Sequence, residues 1–493
     1  MRRLSRAVIL VAVLYVVVGP GSQTKADSTA RQALPKLNVP LVVSQVEVEN
    51  PDRSRLALVR RDGSTRLLTE DLFSARDPEV SFDGTRILFS AKETAKDKWA
   101  IYEMKADGTG RRRVVAADGE CRSPRYLSTL YKLDYKEPWY QIAFVGEGFG
   151  GLPSSSNLFS CKLDGSELER LTFNLGHNST PFLMADGRLL FAVRYPEGRL
   201  GSVFGVNIDG TDYATFLGGQ GKALNRMPTA TTGGLIVFVE SDKVTEDGGG
   251  TLAAVQVRRP LHTYRPVTEA GEGIFHSPAA GPDVTVLVSR RSDGGNDTYS
   301  VVLLDPVSRK LRKVFDDRQH HDLQAQQIAP RPEPDGRSSV VTASDPYGEM
   351  YCLNVAQSDD PAIVKSARSR KIKTVRVYQG KEAGLDESGS SRVEKHVLGE
   401  APLASDGSFS VKIPANTPVQ IHLLDDQGKS LRSCRWIWSR NREPRGCIGC
   451  HEDGELTPEN WFVDALKEHS TLVGEDGSET DSKEDNHSDG ESE

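Results

Sequence analysis

Asp-Gly pairs recur from about Val39 to Val355 in two fixed settings, and few folds need the same tight turn so often at such regular intervals. In one setting the pair opens a strand, as at Asp83–Gly84, Asp186–Gly187 and Asp335–Gly336, each followed by an apolar run. In the other it closes one, as at Asp107–Gly108, Asp164–Gly165 and Asp209–Gly210. Asp-Gly suits the positive-φ positions of a hairpin turn, and the alternating runs beside it suit half-buried antiparallel strands. The closing turns at Asp107, Asp164 and Asp209 are 57 and 45 residues apart, near the period of a four-stranded propeller blade. Weaker units continue at Gly234–Glu240, Val284–Ser289 with Tyr299–Asp305, and Met350–Asn354. The spacing predicts an all-β chain that opens with a β-propeller of about six blades over 39–355.

A basic linker, 356–373, precedes a second β-rich unit at 374–466. Strands are expected at Thr374–Tyr378, Ser408–Ile413, Pro418–Leu424 and Cys434–Trp438, with turns at Ser405–Gly407 and Asp425–Gly428. Short alternating strands at this spacing predict a small β-sandwich-like domain. At its end stand Cys447, Ile448, Gly449, Cys450 and His451. C-x-x-C-H is the attachment signature of a c-type haem: two thiols add to the vinyl groups of one porphyrin, and the imidazole becomes the proximal iron ligand. A redox pair would stand at the start of a helix in a βαβ unit, whereas Pro444, Arg445 and Gly446 precede this one. A zinc site would need a second ligand pair, and Cys121, Cys161, Cys352 and Cys434 are scattered singly. The expectation is one covalent haem c held by Cys447, Cys450 and His451.

No methionine follows Cys450, and 42 residues follow His451, too few for a self-contained helical cytochrome once the acidic end is set aside. The iron is then five-coordinate or takes a distal ligand from elsewhere: His469 after a short helix, or His422 or His396. An ordinary surface histidine is the alternative for each. Trp436 and Trp438 would share a strand face and either wall the porphyrin or fill the sandwich core. Arg440, Arg442 and Arg445 would pair with propionates or be solvated. His320–His321 are expected in a loop, and they and His177 point to a metal only weakly. Ser292–Asp297 resembles a calcium loop in composition, as do ordinary turns. A Cys121–Cys161 bridge is conceivable.

Arg2, Arg3 and Arg6 followed by apolar Ala7–Val18 and Thr24–Ala26 form a secretory signal over 1–26. Its apolar run of about a dozen residues falls short of the ~20 needed to span a bilayer. The mature chain is expected to be exported, periplasmic or beyond, without a transmembrane span. Residues 474–493 are nearly all Asp, Glu, Ser and Gly and predict a disordered acidic tail. A net charge of −7 gives no basis for nucleic-acid binding.

Arg61–Thr69 and Leu163–Thr172, each an Asp-Gly turn leading to Leu-Thr, resemble the TolB-type version of the WD40-like propeller. That likeness implies architecture, not activity. No G-x-S-x-G follows the propeller, so an attached serine peptidase is not expected. The second unit resembles the middle domain of the hydrazine synthase alpha subunit. The matching stretches are Val375–Tyr378, Leu398–Pro402, Asp406–Ser410, Ile413–Pro418, Arg445–Glu452 and Leu456–Asn460. This resemblance implies a c-type haem and partner subunits. The hydrazine-forming subunit has a further domain with a second c-type haem, whereas this chain has a single C-x-x-C-H, so shared haem binding is implied more directly than shared chemistry. Three functions follow: a redox module passing electrons to a partner protein, with the propeller as docking scaffold; a haem enzyme on small nitrogen or peroxide substrates; or a haem-free binding scaffold.

Overall fold

The computed structural model describes residues 36–448 and 462–474, apart from 116, 134, 150–154, 196–200, 219, 246, 295–296, 359–360, 370 and 386–390. The expected signal, the acidic tail beyond Gly474, Cys450 and His451 lie outside the described residues.

Six four-stranded antiparallel blades follow one another. Each of blades 2 to 6 begins with its innermost strand: Ser74–Val80, Glu120–Tyr126, His177–Leu183, Leu224–Ala230 and Ile274–Ala280. Blade 1 is assembled from both ends of the propeller. Leu41–Glu47, Ser54–Val59 and Thr65–Leu67 come first in the chain, and the innermost strand is His320–Gln327, paired with Leu41–Glu47 from Leu41↔Gln327 to Glu47↔His320. The six inner strands touch one another in a closed circle. His320 and His321, expected in a loop, therefore begin the strand that shuts the ring.

The middle strands are buried on both faces rather than half-buried. In Arg188–Arg194 every residue from Leu189 to Val193 is buried. Leu189 and Phe191 face blade 3 while Leu190 faces blade 5. A blade is covered on both sides by its neighbours, so each middle strand supplies two inter-blade cores, and burying one such side chain contributes roughly 1.5–3 kcal/mol. Closing turns behave as the sequence predicts: Gly108, Gly165 and Gly210 have φ of 82, 87 and 84°, and the carboxylates of Asp107, Asp164 and Asp209 each accept the N–H two residues on.

A second repeat escaped the Asp-Gly pattern. Asp77, Ser123, Thr180, Met227, Ser277 and Gln324 all take positive φ, at equivalent places in the six inner strands, and proline follows the first five. Each inner strand bulges there, and proline, which brings no N–H to a ladder, fits that place in the first five; the closing strand bulges with Ala325 instead. The bulges turn side chains toward the next blade. Gln324 accepts the N–H of Asp77, Asp77 that of Ser123, and Thr180 that of Met227.

After the ring closes, Arg337–Ser339 runs back to pair in parallel with Leu130–Lys132, an insertion in blade 3. The strand that Asp335–Gly336 was expected to open within the propeller repeat is this crossing segment. Tyr347–Cys352, expected as the last propeller strand, instead lies in a sheet ordered Pro444–Cys447, Tyr347–Cys352, Phe409–Pro414, Thr471–Leu472. A second sheet is ordered Ser391–Pro402, Ile372–Leu385, Val419–Asp425, Ser430–Ser433. The two sheets enclose one core around Met350, Val375, Val411 and Val419. Helix Pro361–Arg368 lies in the expected linker and buries Ile363 in that core. Cys434–Trp438 is not the expected strand; only Ile437 bridges to Val419 there, because Trp436 and Trp438 leave the sandwich to meet the propeller.

Candidate functional site

Cys447 ends the edge strand Pro444–Cys447, whose neighbour in the sheet is Tyr347–Cys352. Its side chain is half-buried against the sandwich core, and the chain continues through Ile448, whose carbonyl accepts the N–H of Asn354. Its strand has one side of its ladder free of a further named strand among the described residues.

What fixes this edge strand is its approach to blade 4. Trp438 is fully buried among propeller residues. Its ring stacks on Tyr213 at 4.2 Å, and its Nε1–H donates to the Gly210 carbonyl at 3.0 Å. Arg445 donates to the carbonyls of Trp438, at 2.8 Å, and Tyr213, and its guanidinium lies over the Tyr213 ring. Glu443 accepts the N–H groups of Asp212, at 2.7 Å, and Arg440, at 2.6 Å. Burial pushes the Glu443 carboxyl upward, against the pull of Arg445. Arg440 is also buried, which lowers its pKa, and it donates to the carbonyl of Arg170 and to Asn416. Such desolvated charges are tolerated because each is hydrogen-bonded. Arg440 is thus buried rather than solvated, and Arg440 and Arg445 both lock the segment before Cys447 onto the propeller. Arg442 is exposed. Trp436 lies over Gly380, where Leu175 of the propeller also closes in.

The expected distal candidates are dispersed. His469 is exposed, just before Thr471–Leu472, at the opposite edge of the sheet from Cys447. Three strand spacings of about 4.8 Å put their backbones roughly 14 Å apart. His422 is bonded to Ser430 through Nδ1 at 2.9 Å, with its pKa lowered by burial, and His396 is exposed on the outer strand Ser391–Pro402. The structure brings none of the three to Cys447 by strand pairing. Cys121 and Cys161 are not bridged: the strand Gln141–Glu147 runs between theirs, with Cys121 opposite Gly146 and Cys161 opposite Ile142. Two strand spacings exceed the ~7 Å limit for a disulfide. Among the described residues no cluster of three His, Cys, Asp or Glu is placed to hold a metal ion, and no helix is long and apolar enough to cross a membrane.

Fold and site define a class: a six-bladed propeller locked to a β-sandwich whose edge strand delivers the first cysteine of a C-x-x-C-H. Residues 362–452, downstream of the six-bladed propeller, match the hydrazine synthase alpha subunit middle domain. The chain is 25% identical over 546 residues to hydrazine synthase subunit alpha of Kuenenia stuttgartiensis, an alignment covering 88% of this chain and 66% of that protein. The chain thus spans just under two thirds of that relative. The solved Kuenenia stuttgartiensis hydrazine synthase superposes with a TM-score of 0.74 at 21% identity, over 87% of this chain and 71% of the other. TolB from Acinetobacter baumannii covers 59% of this chain and 67% of its own, with a TM-score of 0.45 and 14% identity.

Proposed function

We propose that the chain is an exported c-type haem subunit of the hydrazine synthase alpha kind, working on small nitrogen compounds as one member of a hetero-oligomer. The observation that carries this is the joint one: the likeness to hydrazine synthase alpha runs through propeller and sandwich alike, and the match ends at the C-x-x-C-H. Cys447, Cys450 and His451 would hold the haem, the two sulfurs by thioether bonds and the imidazole as proximal ligand. The half-buried Cys447 thiol on an edge strand beside an apolar core fits a large, flat, mostly apolar group. Haem supplies one-electron chemistry or an open coordination position for a small ligand. This chain's contribution is positional: Trp438, Arg445 and Glu443 hold the strand that ends at Cys447 against blade 4, so the attachment point is fixed relative to the propeller face.

A second reading, a module that only relays electrons to a redox partner protein, differs in the iron's sixth position. The full chain, expressed with an export signal and c-type maturation factors, decides by pyridine haemochrome and optical spectra. Haem that survives denaturation and vanishes in Cys447→Ala/Cys450→Ala supports the cofactor. A high-spin spectrum that changes with hydroxylamine or nitric oxide supports ligand chemistry, while an unresponsive low-spin one supports electron relay. Wild-type protein without covalent haem refutes both.

A further inference from the structure

Pro444–Cys447 and Tyr347–Cys352 are parallel neighbours, and their register sets Cys352 opposite Cys447. The N–H of Leu353 donates to the Cys447 carbonyl at 2.9 Å, which fixes that register at the end of the ladder. Side chains directly opposite in a parallel pair leave the sheet on the same face, with α-carbons about 4.8 Å apart. That lies inside the 4.4–6.8 Å range that a disulfide spans. Both sulfurs meet the same core, with Met350 and Val411. Their access differs: Cys352 is 2% exposed on an inner strand, while Cys447 is half-buried on the edge. A third thiol, Cys434, borders that core near enough to Cys447 for the two to interact electrostatically, and its sulfur accepts the N–H of Ile421 at 3.1 Å, so it is the rival partner that the test must separate.

We propose that Cys352 is a built-in redox partner of Cys447, and that the two form a reversible disulfide in the haem-free chain. Access orders the steps. The Cys447 thiolate attacks the disulfide of an external thiol–disulfide oxidant and expels one of its sulfurs as a thiolate. The Cys352 thiolate then attacks Cys447 Sγ in the mixed disulfide and expels the second. Two protein thiols are oxidised, the oxidant's disulfide is reduced to two thiols, and these take up the two protons. While the bond stands, the Cys447 sulfur has no thiol to add to a vinyl group, so Cys352 gates haem attachment. The gating, though not the disulfide, rests on the haem reading above.

The test uses the full chain made without haem-maturation factors, equilibrated across ratios of glutathione to glutathione disulfide. Acid quenching, alkylation and non-reducing digestion then allow the cross-links to be mapped by mass spectrometry. A Cys352–Cys447 cross-link should dominate at oxidising ratios, vanish in Cys352→Ser and persist in Cys434→Ser, with Cys352→Ala as the alternative should the serine variant misfold. Alkylation of Cys352 at every ratio, or Cys447 linked only to Cys450 or Cys434, overturns the proposal. With maturation factors present under oxidising conditions, Cys352→Ser should raise the haem-loaded fraction several-fold. An unchanged fraction refutes the gating. A chain that shows the cross-link yet never takes haem refutes the haem reading and upholds the disulfide.

Discussion

Replacing Trp438 by alanine tests how the sandwich is joined to the propeller. The side chain is fully buried, stacked on Tyr213 and tilted against Phe173, with its Nε1–H on the Gly210 carbonyl. Truncating a buried tryptophan costs about 3–5 kcal/mol, and leaving the Gly210 carbonyl without its donor places this site toward the upper end, about 4–5 kcal/mol. Trp438→Phe keeps most of the apolar area and loses the N–H, so its cost should be about 1–2 kcal/mol. The stack itself contributes roughly 1 kcal/mol beyond area, to be read as the coupling in a Trp438→Ala/Tyr213→Ala cycle. Urea unfolding followed by hydrogen exchange of peptides from each domain measures these quantities. In the alanine variant the sandwich should open at lower urea than the propeller, whose six inter-blade cores are mostly independent of Trp438. A loss under about 1 kcal/mol, or single changes that add to within about 0.3 kcal/mol, would refute the claim that this residue is the joint.

Two further outcomes follow from the propeller. Asp322 is a buried residue of the closing strand; burial, with Asp317 and Asp316 adding negative charge, pushes its carboxyl from 3.8 up to about 7 despite the N–H of Asp317 and the amide of Gln45. A raised folded pKa gives stability that is complete below about pH 4 and lost as pH rises through about 7. Asp322→Asn should therefore flatten that decline and gain roughly 2–4 kcal/mol at pH 8, measured by urea unfolding across pH; an unchanged slope argues against the shift. At Gly210, φ is 84° and a Cβ would stand 2.6 Å from the Leu171 carbonyl oxygen, whereas Gly63, φ 82°, has nothing within 4 Å. Gly210→Ala should cost about 2–4 kcal/mol and Gly63→Ala only about 1–2 kcal/mol in thermal unfolding; equal costs would show that the close approach is not what matters.

Much of the candidate site was visible in the chain. The C-x-x-C-H was legible because it fixes residue types at a short spacing, and the strand ending at Cys447 lies where the sandwich reading ended. The ring of Asp77, Ser123, Thr180, Met227, Ser277 and Gln324 was missed, although the proline after five of them repeats about once per blade. Varied side chains at the key position hid a signal carried by the backbone. Trp436 and Trp438 alternate as a strand would, yet that segment pairs through one bridge, since the surface it meets lies more than two hundred residues earlier in the chain.

The sequence by itself determined the local pattern: turns where Asp-Gly relieves the backbone, strands where apolar residues alternate, and a C-x-x-C-H at the end of a β domain. Tertiary structure alone decided which strand closes the ring, to which sheet Tyr347–Cys352 belongs, why middle strands are buried on both faces, and that Cys352 stands opposite Cys447. Those outcomes depend on pairing and packing between segments far apart in the chain, where the energy belongs to a contact and neither partner's local pattern specifies the other.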